Sequence, residues 1–232
     1  MIGHLVILAA PGGGGKSELR KRLFSGQLRT IEARLGIQAV NQWHVVSRRK
    51  MEATDWPELA GDVIFECNIQ SLYCNGLAYE SDEKIAQIVR QAREISFVTL
   101  WTPPDRLRRQ RVKRDLAKIR NSGLLVYGPR RAFSILVLYL VDRFDALSVV
   151  KSSGPRSRAW QRLVEYLARI FINRFWAFYL RPSEVVRCYG AWLQFCASFS
   201  PMTCRTTCIV EFDKTLKFHS REEWEDAVQI YL

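Results

Sequence analysis

Five short apolar runs punctuate the chain, separated by longer stretches of helical pattern. Leu5-Val6-Ile7-Leu8-Ala9 comes first, and Gln38-Ala39-Val40, running on towards Val45-Val46, is a weak second. Val63-Ile64-Phe65, set between Asp62 and Glu66, is the third. Ser96 to Trp101 and Thr207 to Phe212 are the fourth and fifth. Most are continuous rather than alternating and rich in β-branched residues, as expected of strands covered on both faces.

Between them the period changes. Ser17 to Phe24 follows a glycine run. Ser81-Asp82-Glu83-Lys84 opens a segment with apolar Ile85, Ile88, Val89 and Ala92 at three-to-four spacing, and Ser81 is the expected cap. Ser220 with Glu223 three residues on reads as a capping box before the last helix. Strands alternating with helices predict a parallel sheet joined by crossovers.

Residues 130–200 break that rhythm. Phe133 to Val150, Ala159 to Leu180 and Glu184 to Phe199 read as three helices with no strand between them, Pro182 being tolerated in a first turn. The expected fold is therefore α/β: a doubly wound, parallel, five-stranded sheet with a helical insertion before the last strand. The core is expected over residues 1–129 and 201–232, with the insertion over 130–200. The apolar stretch Phe133–Val141 ends at Asp142 and Arg143, short of the roughly 20 residues a membrane span needs, so no transmembrane segment is expected. A surface-lying amphipathic helix or a homodimer face remains open for the insertion.

Composition narrows the partners. The chain has 232 residues, 48% of them hydrophobic, which is enough for a sizeable core. A formal charge of +12 favours anionic partners. The six cysteines follow no secretory start, so they are expected to be reduced and the protein cytoplasmic. Cys204 and Cys208 with His219 lack a second ligand pair at zinc-site spacing and read as small buried residues.

The chemistry concentrates at Ala10-Pro11-Gly12-Gly13-Gly14-Gly15-Lys16-Ser17, a phosphate-binding pattern with alanine at its first position. Backbone N–H groups can converge on a phosphate only where side chains are absent and positive φ is tolerated. Lys16 is then expected at the β and γ phosphates of ATP, Ser17 on Mg²⁺, and Glu18 in the first turn of the following helix. A flexible linker would not be framed by a strand and a helix. Glu66, at the C-terminal end of the third strand, is the candidate second metal ligand or base, with Asn68 beyond it as a substrate residue.

After the fourth strand, Pro103-Pro104 starts a helix dense in arginine. Residues 105–131 carry ten bases against Asp105 and Asp115, a net +8. Arginines on a lid (about 103–131) stabilise a phosphoryl group in transfer, and Arg108, Arg111 and Arg114, recurring at helical spacing, are the candidates. His44, Arg48, Arg49, Lys50 and Asp55 form a basic polar cluster suited to an anionic acceptor.

The order of these parts resembles the P-loop small-molecule kinases of the nucleoside monophosphate kinase-like group, guanylate kinase in particular. The matching pieces are Ala10–Ser17, "DVIFECNIQS", "SFVTLWTPPDRLRRQRVKRD" and "CIVEFDKTLKFHSREEWEDAV". The resemblance implies an ATP- and Mg²⁺-dependent kinase acting on a small-molecule acceptor, with Lys214 and Thr215 near the base. Glu66 departs from the aspartates of that group, and the 130–200 helices have no counterpart in its short members. Two other readings stand beside it. One is a nucleotide-dependent regulatory NTPase that binds a protein or membrane partner through its aromatic helices. The other, nucleic-acid binding, ranks last because no nucleic-acid motif accompanies the charge.

Overall fold

The computed structural model describes residues 1–36, 43–48, 51, 59, 61–123, 128–148, 166, 174–199, 203–212 and 215–232. They divide into two compact units, residues 1–102 with 187–230, and residues 103–186 with 231–232.

The first unit is built on a six-stranded sheet: β1 (Ile2–Ala10), β2 (His44–Ser47), β3 (Gly61–Asn68), β4 (Ala92–Trp101), β5 (Cys204–Phe212) and β6 (Leu216–His219). The order is β2-β3-β1-β4-β5-β6. All neighbours are parallel except β5 and β6. The sheet thus has one strand more than the five expected. Residues 213–215 are too short a connection for a parallel crossover, so Leu216–His219 folds back as a hairpin. Gln38-Ala39-Val40, expected in the second strand, lies outside the described residues, and β2 is confined to His44–Ser47.

Period-two geometry sends alternate side chains of the inner strands to opposite faces. Val6, Leu8, Ala10, Ile64, Val98, Leu100 and Val210 form one cluster with Leu19 and Leu23 of α1 (Lys16–Phe24) and Ile31 and Leu35 of α2 (Arg29–Leu35). On the other face Phe97 meets Trp192 edge-on at 6.0 Å, and Trp192 Nε1 donates to Thr99 Oγ1 at 3.1 Å. Trp192 is fully buried on α8 (Pro182–Ala197). The Tyr189 hydroxyl of the same helix donates to the Leu100 carbonyl at 2.6 Å. Burial of these rings, with their polar ends satisfied, holds the residue 187–197 part of α8 to the sheet.

The remaining helices of this unit obey local rules. α3 (Ile69–Cys74) follows β3 directly. α4 (Glu83–Arg90) is capped by Asp82, which accepts from the Ile85 N–H at 3.0 Å, rather than by Ser81. Ser81 instead closes a 3₁₀ turn, Tyr79–Ser81, and the carboxylate one position later takes the cap. α9 (Arg221–Val228) carries the expected capping box. Glu223 N donates to Ser220 Oγ at 3.1 Å, and Ser220 N donates to Glu223 Oε2 at 2.8 Å.

The second unit contains α5 (Pro104–Ser122), α6 (Pro129–Ser148) and α7 (Arg174–Ala177) with a 3₁₀ turn, Phe178–Leu180. Pro104 occupies the first turn of α5, where its missing N–H costs nothing, and Asp105 follows it. Most of the helix expected over Ala159–Leu180 lies outside the described residues. Among the described residues no helix is long and apolar enough to cross a membrane.

Candidate functional site

β1 is central, flanked by β3 and β4, and the chain leaves its C-terminal end into the glycine loop and α1. Ligands bind at that edge of open α/β sheets. Gly13 and Gly15 adopt φ of 97° and 86°, a region that disfavours any side chain. Gly15 is the left-handed N-cap of α1. Gly14 N donates to the Pro11 carbonyl at 3.1 Å, and a Cβ added at Gly14 would stand 2.8 Å from Ala10 Cβ. Around a Cβ placed at Gly15 there is open space to 4 Å. The glycines therefore play two parts: Gly14 lets the loop fold onto the strand end, and Gly15 leaves room outside it.

Gly12 N donates to Gln70 Oε1 at 3.3 Å, and Gln70 is fully buried. This side chain of α3 holds the loop from behind; its adjacency to the glycines comes from the β1–β3 pairing, in which Ala10 lies opposite Asn68. Lys16 Nζ donates to the carbonyls of Ala10 at 2.6 Å and Pro11 at 3.1 Å. The ammonium is thus folded across the mouth of its own loop. Ser17 and Glu18 are exposed in the first turn of α1, and Glu18 pairs with Arg22 at 3.1 Å.

Glu66 and Asn68 lie two apart on β3, sharing the face of Ile64 that α1 covers. Arg20 Nη1 of α1 stands 3.1 Å from Glu66 Oε1. The contact is a charge pair without the alignment of a hydrogen bond, for Glu66 Oε1 and Asn68 Oδ1 are both buried oxygens with no hydrogen-bond partner. Two unsatisfied oxygens beside a glycine loop are suited to a hard cation or its water shell. Glu66 and Asn68 thus carry oxygens of the kind a Mg²⁺ ion or its water shell would need, at the strand end where the glycine loop begins. Among the described residues no group of three His, Cys, Asp or Glu side chains forms a metal cluster.

The proposed acceptor residues are distributed differently. Arg48, just past β2, donates through Nε to Asp82 Oδ1 at 3.1 Å, pairs a second time with the same carboxylate, and reaches Ser71 Oγ at 3.4 Å. Burial would raise the Asp82 pKa, but the Arg48 guanidinium and the Ile85 N–H outweigh it and hold the carboxyl below its usual range. Arg48 thus spends its fork on tying β2 to the start of α4. His44 is exposed at the N-terminal end of β2, opposite Val63, at the edge of the sheet away from the glycine loop. Arg49 and Lys214 lie outside the described residues, and Thr215 is exposed just before β6.

In the second unit the three arginines chosen by spacing are held by carboxylates and rings. Arg108 is 4% exposed and lies 3.6 Å from Asp105 and 3.7 Å from Asp142. Arg111 Nε donates to Asp115 Oδ2 at 2.5 Å, and its guanidinium sits 4.5 Å from the centre of the Trp176 ring. Arg114 Nε donates to the other Asp115 oxygen at 3.3 Å. Asp115 is 1% exposed, so two guanidinium groups compensate one buried carboxylate. Of the three, Arg114 keeps the most exposed side chain, at 39%.

Gln70, the Arg20 partner of Glu66 and the Asp82 cap have weak signals in the sequence. Arg20 is one of three consecutive bases and Gln70 one of several polar residues after β3, and only the packing of α1 and α3 on the sheet singles them out. The six cysteines are free thiols, and burial pushes Cys67 and Cys208 up to about 12.

No protein-family model matches this chain, and no curated protein or solved structure is detectably similar to it. The functional reading rests on the site alone.

Proposed function

We propose that the protein is an ATP-dependent phosphotransferase acting on a small, anionic acceptor. The observation that carries this reading is the junction of β1 and α1. Gly13 and Gly15 take positive φ there, Gly14 admits no side chain, and Lys16 and Ser17 follow immediately. That combination suits a polyphosphate.

In this reading the backbone N–H groups of Gly13 and of residues 15–17 receive the donor phosphates, aided by the positive end of α1. Lys16 exchanges its bonds to the Ala10 and Pro11 carbonyls for phosphate oxygens, which are stronger charge-assisted partners. Gln70 keeps Gly12 in place during that exchange. Ser17 and Glu66 would hold Mg²⁺, which supplies charge neutralisation at the phosphates. Arg20 lies against Glu66 and orients its side chain. The acceptor is expected beyond the ends of β3 and β2, where Asn68 has an unsatisfied oxygen.

The test is ADP formation by the full-length protein with Mg·ATP and pooled nucleotides, sugar phosphates and hydroxy acids. Acceptor-stimulated turnover that disappears in Lys16→Ala supports the reading. ATP binding without stimulation by any pool would sink the transferase half of it and leave an NTPase.

A further inference from the structure

The net positive charge of the protein falls within one unit. Residues 103–186 hold 18 Lys and Arg against 6 Asp and Glu, a net +12, so the other 148 residues sum to zero. Within that unit α6 is apolar on both sides. Ser134, Ile135, Leu138 and Val141 are buried, while Phe133, Leu136 and Leu140 are 44%, 50% and 42% exposed. The outward three recur at i, i+3 and i+7, so they form one stripe along the helix. A helix apolar all round is normally covered on every side.

Basic residues flank the stripe. Exposed Arg131 and Arg143 stand at either end of it on α6. On α5, Arg109, Lys113, Leu116 and Arg120 follow at i, i+4, i+7 and i+11, all exposed on one face. Arg109 Nε lies 3.5 Å from Asp142 Oδ1 of α6, so this face borders that helix. Aliphatic and aromatic side chains bordered by arginine and lysine match an interface whose outer layer is anionic and whose inner layer is hydrocarbon. A phosphate backbone gives Phe133, Leu136 and Leu140 nothing to bury against. A second copy would bring the same basic residues against Arg109, Lys113, Arg120, Arg131 and Arg143.

We infer that the α5–α6 face docks on an anionic lipid surface, with Phe133, Leu136 and Leu140 entering the headgroup region and the basic residues meeting lipid phosphates. α6 lies on the bilayer and does not cross it. This reading does not depend on the reaction proposed above.

The experiment is co-sedimentation of the full-length protein with phosphatidylcholine vesicles, with and without about 30% phosphatidylserine, at about 0.1 and 0.5 M salt. Binding is expected only to the anionic vesicles and is expected to fall with salt. Leu136→Glu with Leu140→Glu should weaken it at least about tenfold, and Lys113→Glu with Arg120→Glu should do likewise. All four side chains are exposed, so the circular dichroism should not change. Three outcomes overturn the inference. One is no binding to anionic vesicles. Another is a Leu136→Glu/Leu140→Glu protein that binds as the parent does. The third is a concentration-dependent dimer, or a complex with duplex RNA, that blocks vesicle binding in the parent protein.

Discussion

Arg20 and Glu66 face each other across the junction of α1 and β3, 3.1 Å apart and without an aligned hydrogen bond. The pair joins the helix that begins at the glycine loop to the strand beside β1. Arg20 is about one-third exposed, whereas Glu66 is 12% exposed, so loss of the cation leaves the carboxylate largely buried. Arg20→Ala should cost about 1–3 kcal/mol in denaturant unfolding. Glu66→Gln should keep nucleotide affinity within about twofold and lower turnover at least about tenfold. Equal turnover in Glu66→Gln would remove Glu66 from the chemistry.

Gly14 and Gly15 separate two kinds of strain. Gly14→Ala drives a methyl against Ala10 and should weaken both folding and nucleotide binding, by about 1–3 kcal/mol in stability. Gly15→Ala meets open space but must hold φ near 86°, which costs about 1–2 kcal/mol. Thermal unfolding of the two variants, with and without ATP, tells them apart. Only Gly14→Ala should also displace the strand end.

Asp82 serves two functions that substitution can divide. Asp82→Asn keeps an N-cap for α4 but leaves the half-buried Arg48 without its charge partner, and Asp82→Ala loses both. The second should be less stable than the first by about 1 kcal/mol. Because the folded carboxyl titrates below its ordinary 3.8, its contribution is full above that pH and is lost as pH falls through the folded value. Acid unfolding of Asp82→Asn should lack this component.

His4 adds an acid-side loss of stability of the same sign, with burial as its cause. It is buried in β1, bonds Ser96 Oγ through Nε2 at 2.8 Å, and stacks edge-on to Trp43. Burial, then the Arg205 charge, lowers its pKa, against Glu94 and Asp62, which raise it. The folded state resists a proton that the unfolded chain accepts near 6.5. Stability should therefore fall as pH drops below about 6.5, by up to about 1.4 kcal/mol per unit, until the folded value is reached. His4→Gln should flatten that slope. An unchanged slope would mean that His4 is already protonated in the fold.

Much of this architecture could be read in advance because its signals are local. The strand before the glycines, Pro104 and the Ser220–Glu223 box each act within a few residues, and the structure places each as its pattern requires. The sixth strand escaped because Leu216–His219 is short and gains its partner only by folding back on β5. The roles of Arg48, Arg108 and Arg111 depend on Asp82, Asp142 and Asp115. The Arg48 partner is 34 residues away and Asp142 is brought in by helix packing, so a basic run alone could not separate charges facing a ligand from charges satisfying the fold. Asp115 is only four residues from Arg111, but its burial is a tertiary fact.

In the proposed reaction Lys16, bonded to the Ala10 and Pro11 carbonyls, would turn to the phosphates of a bound nucleotide. Titration calorimetry with Mg·ATP on the parent protein and on Lys16→Ala tests it most directly. Saturable binding by the parent and a loss of at least about tenfold in the variant are expected, with unfolding temperatures alike. No binding by the parent, or equal affinity in the two, would contradict it.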